Sequence, residues 1–120
     1  MTFSVGHVVR VNLSDAIGNE TMYDRPAIIV QGEGLDIYRT ILVVPTTAVE
    51  KAGSFPHSHR IIPTNRNGLT TVSFALVHQL RAIDKSRILK ILGSLEEPNL
   101  NRILSLIRQI IPEKAPPPKV

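Results

Sequence analysis

An arginine held between an acid and a proline, Asp24-Arg25-Pro26, stands immediately before the apolar run Ala27-Ile28-Ile29-Val30. A second apolar run, Thr40-Ile41-Leu42-Val43-Val44, ends in Pro45-Thr46-Thr47, a proline followed by two hydroxyls. A guanidinium anchored by a rigid neighbour and a strand can grip a phosphate bidentately at little entropic cost. The two strand ends read as two sides of one site. Each residue also has a plainer use. Arg25 can pair with Asp24, Thr46 and Thr47 can bond the backbone at a strand end, and His78 can cap the apolar run before it. Arg81 can pair with Asp84, and Glu20 can stand in solvent.

Other chemistries find little support. The chain has no Cys, which removes disulfides, thiolate metal sites and a thiol nucleophile. His57-x-His59 has metal-ligand types but no nearby acids, and the reading is no metal and no cofactor. Ser73, His78 and Asp84 can be written as a triad, but such a set can be assembled from almost any chain. Neither a Gly-rich phosphate loop nor an HExxH, EF-hand or GxSxG pattern is present. A net charge of +4 leans toward an anionic partner. The N-terminal residues lack a signal-peptide layout and no apolar run approaches the ~18 residues of a membrane span, so the expectation is a soluble, cytoplasmic protein with no membrane role.

The elements that must position these groups follow from pattern. At 120 residues the chain is one domain, expected over 1–112, with a proline-rich tail at 113–120 expected to be extended and disordered. Residues 5–13 alternate, with Val9, Val11 and Leu13 on one face and Arg10 and Asn12 on the other, as in a half-buried strand. Ser14 to Tyr23 reads as a loop. Pro26 lacks an N–H, so the buried central strand that follows is expected to start near Ala27, with Arg25 just outside it. Residues 49–60 read as an exposed loop, Ile61-Ile62 as a short strand ended by Pro63, Asn67-Gly68 as a tight turn, and 71–77 as a strand. Asp84 can N-cap a helical turn over Lys85–Ile88, while Ile88–Leu92 fits either helix or strand. Leu100, Ile103, Leu104, Ile107, Ile110 and Ile111 recur at helical spacing, with Glu96, Glu97 and Pro98 at the start and Pro112 at the end. Together they predict a mainly β fold, a small antiparallel barrel with a C-terminal amphipathic helix.

These residues, taken in order, resemble the MazF/PemK/Kid family of toxin endoribonucleases. Gly6-x-Val8 with Val11-x-Leu13 is similar to its opening strand, and Gly18-Asn19-Glu20 to its Gly-x-Glu loop. Arg25-Pro26 with the following apolar run, Val44-Pro45-Thr46-Thr47, and the segment Val77 to Arg87 resemble its later motifs. The resemblance covers residues 5–111 and implies an SH3-like barrel of the CcdB/PemK type, a homodimer, and metal-independent, sequence-specific cleavage of single-stranded mRNA. In that reaction the ribose 2′-OH attacks the adjacent phosphate, leaving a 2′,3′-cyclic phosphate and a 5′-OH. The resemblance makes Arg25 the cation for the phosphorane charge and Thr47 the holder of a phosphate oxygen or the attacking hydroxyl. Glu20 becomes the candidate base and His78 a candidate acid or base. RNA contacts fall to Asn19, Tyr23, Thr46, His57, His59, Arg60, Gln79 and Arg81.

The chain departs from the pattern at Leu76 and His78, where some members carry an Arg and a carboxylate, and at His7, where an acidic residue is common. Two rival readings follow. One is a gyrase-poisoning toxin of the CcdB branch, which acts through a C-terminal Trp-Gly-Ile, whereas this chain has no Trp. The other is a catalytically impaired RNA-binding barrel. The partner implied is a cognate antitoxin whose disordered acidic tail folds across the basic groove.

Overall fold

The computed structural model describes residues 2–14, 17–18 and 24–114. Its strands are β1 (His7–Asn12), β2 (Asp24–Ile29), β3 (Thr40–Thr47), β4 (Ser58–Ile61), β5 (Ser73–Leu76), β6 (Arg81–Asp84) and β7 (Ile88–Ser94), and one helix, α1 (Glu97–Ile110), closes the chain. The strand pairings among the described residues are all antiparallel, in the order β4-β5-β3-β2-β1-β7, with β6 paired to β3. β2 and β3 are central, as their continuous apolar runs require.

The sheet curls. Ile83 on β6 shares one core with Val9, Val11, Leu13, Ala27, Ile29, Ile41 and Val43, and Ile88 and Ile91 of β7 pack against it. Strands from opposite sides of the β1-β2-β3 centre therefore meet over the same residues. β4 and β7 are not paired with each other among the described residues, so the expected barrel is open. A second core on the other face holds Val8, Ile28, Val44, Ala75 and Val77 under Ile103 and Leu106 of α1. Burial of β1 on both faces corrects the half-buried reading: Val8, Val9 and Val11 are all fully buried.

Several boundaries move. β2 begins at Asp24, so Pro26 lies inside it, paired with Arg10. The proline is tolerated because its carbonyl faces β3 and accepts from Thr46 Oγ1 at 2.7 Å. Its missing N–H falls on that same side, before the β2–β3 ladder begins at Ala27. Pro45 sits where β3 changes neighbour, from β6 along Thr40–Val43 to β5 at Thr46–Thr47. The 49–60 stretch is a 3-10 turn at Glu50–Ser54 followed by β4, which starts at Ser58 rather than Ile61. The strand expected at 71–77 is confined to Ser73–Leu76. Ile88–Leu92 is strand, because β1 offers it a partner edge. Asp84 caps a 3-10 turn at Lys85–Arg87 by accepting from Ser86 N at 2.8 Å. That backbone bond, joined by the Ser86 hydroxyl and by Arg39 and Arg87, holds its carboxyl below the usual range despite some desolvation.

Asn67 is fully buried and satisfied on every side. Its Oδ1 accepts from Thr64 N and Leu69 N, each at 3.0 Å, and its Nδ2 donates to Ile62 O at 3.0 Å and to Glu96 at 3.1 Å. The next residue, Gly68, is left-handed (φ +69), and a Cβ there would strike the carbonyl of Leu92. A Cβ on Gly93 would likewise strike the carbonyl of Arg66. The 64–69 turn is thus pressed backbone to backbone against β7.

Candidate active site

The β2–β3 register is Ala27↔Pro45, Ile28↔Val44, Ile29↔Val43. Continued by the Thr46–Pro26 hydrogen bond, it sets Arg25 opposite Thr47 and, by alternation, on the same face. Both residues line a cleft of about 130 Å³ with Arg10, Asp24, Pro26, Thr46, Ala48, Leu69, Thr70, Thr71 and Ser73. Arg25 is half-buried within β2 rather than just outside it. Thr47 is 9% exposed, and its Oγ1 accepts from Val49 N at 3.2 Å, which fixes the rotamer and leaves the hydroxyl proton for donation. Thr46 is 1% exposed and spends its hydroxyl on Pro26 O, so its contribution is to hold the two strands in register.

His78 does not line this cleft. It is exposed on a 3-10 turn, Val77–Gln79, and lines a separate hollow of about 230 Å³ with Phe55, Pro56 and His57. The Phe55 and His78 rings meet edge to face, centroids 5.8 Å apart and planes at 87°. His59 lies within β4, its Nε2 2.8 Å from Asn99 Oδ1. Because Asn99 Nδ2 donates to Glu96 Oε1 at 3.1 Å, Oδ1 is the acceptor, and His59 donates from Nε2. Arg60 is exposed on the same strand, Gln79 is half-buried beside His78, and Arg81 is half-buried opposite Val43. Asn19, Glu20 and Tyr23, and the tail from 115 onward, lie outside the described residues. No group of three or more His, Asp or Glu converges as a metal site among the described residues.

Glu96 anchors this side of the molecule. It accepts from Thr64 Oγ1 at 2.6 Å as well as from Asn67 and Asn99. Burial pulls its carboxyl upward, but the bonds from Thr64, its own backbone, Asn67 and Asn99 outweigh that and hold it below the usual value.

Sequence reasoning missed Arg10, Phe55 and Asn67. Alternation puts Arg10 on the polar face of its strand, but only the structure sets it opposite Pro26 and among the residues that line the cleft. Phe55 in a polar stretch carried no periodic signal.

The chain is thus an open, curled antiparallel sheet with a C-terminal helix and a cleft at the ends of its two central strands. The chain belongs to the family described as PemK-like, MazF-like toxin of type II toxin-antitoxin system, whose model matches residues 4–111. It is 28% identical over 99 residues to Endoribonuclease EndoA of Bacillus subtilis (strain 168), covering 82% of this chain and 84% of that one. Its fold matches MazF from Deinococcus radiodurans with a TM-score of 0.79 at 19% identity, covering 92% of this chain and 97% of that one. It also matches an endoribonuclease in complex with its cognate antitoxin from a mycobacterial species, with a TM-score of 0.74 at 16% identity, covering 96% and 100%.

Proposed function

We propose that this toxin is an endoribonuclease that cuts single-stranded RNA by attack of the ribose 2′-OH on the adjacent phosphate. The observation that carries the reading is Arg25 facing Thr47 in a cleft at the end of the two central strands. Attack builds negative charge on the phosphorane, and a fixed guanidinium aimed at that charge is already organised when it appears. The Thr47 hydroxyl, held by Val49 N–H, donates to a non-bridging oxygen. The 2′-OH proton passes to a base, for which Glu20 is the proposed carboxylate, and the 5′ oxygen leaves with a proton from an acid. The products are a 2′,3′-cyclic phosphate and a 5′-OH.

His78 stands beside Phe55 in the second hollow, which suits an unstacked base better than proton transfer at Arg25. We assign His57, Arg60, Gln79 and Arg81 to that RNA path, together with Asn19 and Tyr23. The protein works in the cytoplasm as a homodimer, and a cognate antitoxin lays an acidic segment over the same cationic surface.

The test is incubation of purified protein with a long RNA in EDTA beside an Arg25→Ala control, with primer extension to map cuts. Cuts at one short recurring sequence, ending in a cyclic phosphate and lost in the variant, are expected. Intact RNA of varied sequence after incubation with the wild type would overturn the reading in favour of a binding module.

A further inference from the structure

Arg10 on β1 stands directly opposite Pro26 on β2 and directly opposite Lys90 on β7. A row therefore runs across the sheet from Lys90 through Arg10 and Pro26 to Thr46, whose hydroxyl closes onto Pro26. Like charges directly opposite on neighbouring strands destabilise a sheet. Neither strand offers a carboxylate across from Arg10, and among the described residues no ion pair joins Arg10 or Lys90 to an acid. Asp24 lines the cleft but sits further along β2, opposite Asn12. Arg10 is half-buried and is among the residues that line the cleft with Arg25, on the face of the sheet that alternation gives Pro26 and Thr46, while Lys90 is exposed beside it. A strand pairing that sets two cations face to face and leaves them unneutralised is explained by an anion that arrives from outside.

We propose that Arg10 and Lys90 form a second phosphate site, holding a phosphodiester next to the one that reacts at Arg25. The site rests on the RNA reading for the identity of the strand, and on the β7-β1-β2 register for its place. Arg10 forks a phosphate from the cleft side and Lys90 supplies a point charge from the rim. The pair fixes where the RNA enters the cleft. It contributes to binding and placement, not to the chemical step.

Two measurements test it. In the first, a 2′-O-methylated single-stranded RNA, which cannot be cut, is titrated against wild type, Arg10→Gln, Lys90→Gln and, as a control on α1, Arg102→Gln over a range of salt. For single-stranded RNA, a protein that neutralises one phosphate fewer has a slope of log affinity against log salt shallower by roughly 0.7. Arg10→Gln and Lys90→Gln are each expected to show that flattening, and Arg102→Gln to keep the wild-type slope. Wild-type slopes in both variants, with the wild type binding RNA, overturn the site. The second measurement needs no RNA. At low salt Lys90→Gln is expected to melt above the wild type, since it relieves repulsion on an exposed residue. Inorganic phosphate is expected to raise the wild-type melting temperature more than chloride of equal ionic strength and to close that gap. A wild type indifferent to phosphate overturns the anion site whether or not RNA is cut. A wild type stabilised by phosphate more than Lys90→Gln is, yet binding no RNA, keeps the site and overturns the endoribonuclease reading.

Discussion

Continued one step past its last pair, Ala27 and Pro45, by a 2.7 Å hydrogen bond from Thr46 to Pro26, the β2–β3 register sets Arg25 opposite Thr47. Two strand ends with prolines at 26 and 45 would be free to splay. The Thr46 hydroxyl prevents it, so the guanidinium and the Thr47 hydroxyl keep their separation before any substrate arrives.

Arg25→Ala is expected to lower kcat by about 10²- to 10³-fold, the usual loss when one preorganised donor to a developing oxyanion is removed. Arg25→Lys recovers only part of the activity because an ammonium cannot make the bidentate grip. Single-turnover cleavage of a mapped substrate measures both, with melting temperatures near wild type showing that the fold is kept.

The two threonines separate by assay. Thr47→Val removes a hydrogen bond to a charged oxygen, about 1.5–3 kcal/mol, and is expected to slow cleavage roughly ten- to hundredfold, with a smaller stability loss than Thr46→Val because the Val49 N–H it frees belongs to an exposed residue. Thr46→Val instead leaves the Pro26 carbonyl without its partner and is expected to cost about 1–3 kcal/mol of stability. Denaturant unfolding beside kinetics on the same preparations decides whether the roles divide this way.

Glu96 ties stability to pH. Its folded carboxyl sits below its ordinary value, so the unfolded chain binds more protons in the acid range. The stability that Glu96 contributes is therefore complete above the ordinary carboxylate range and drains away as pH falls through the depressed folded value. Wild type is expected to exceed Glu96→Gln in denaturant midpoint at neutral pH, and the two midpoints should converge on acidification below about pH 4.

Phe55 is 45% exposed, so Phe55→Ala is expected to leave the fold intact while weakening RNA binding. Loss of one base–aromatic stack is worth about 1–3 kcal/mol. A KM raised within that range, with kcat nearly constant, is the expected pattern for Phe55→Ala and, more weakly, for His78→Ala. A collapse of kcat in His78→Ala alone would return that histidine to the chemical step.

Much of this arrangement is legible in residue order. The runs at 27–30 and 40–44 could only be buried strands, and the period through Leu100, Ile103 and Ile107 could only be a helix face. Arg25 and Thr47 stand out because each adjoins such a run. What escapes notice depends on partners distant in sequence. Ile88–Leu92 is undecidable until β1 supplies an edge, and β4 reaches back to Ser58 because Ala75 and Phe74 pair with the polar His59 and Arg60. Arg10 acquires meaning only from Pro26 and Lys90 opposite it, and Asn67 looks like a surface turn while serving as a buried hub.

The close approach of Gly68 and Gly93 bears on how such a toxin can be retuned. The turn leading into the cleft wall is pressed against β7 main chain to main chain, since carbonyls occupy the space a side chain at either glycine would need. Thr70 and Thr71 are exposed, so exchanging them leaves that backbone contact in place. A library of cleft variants should randomise those two positions and keep both glycines fixed.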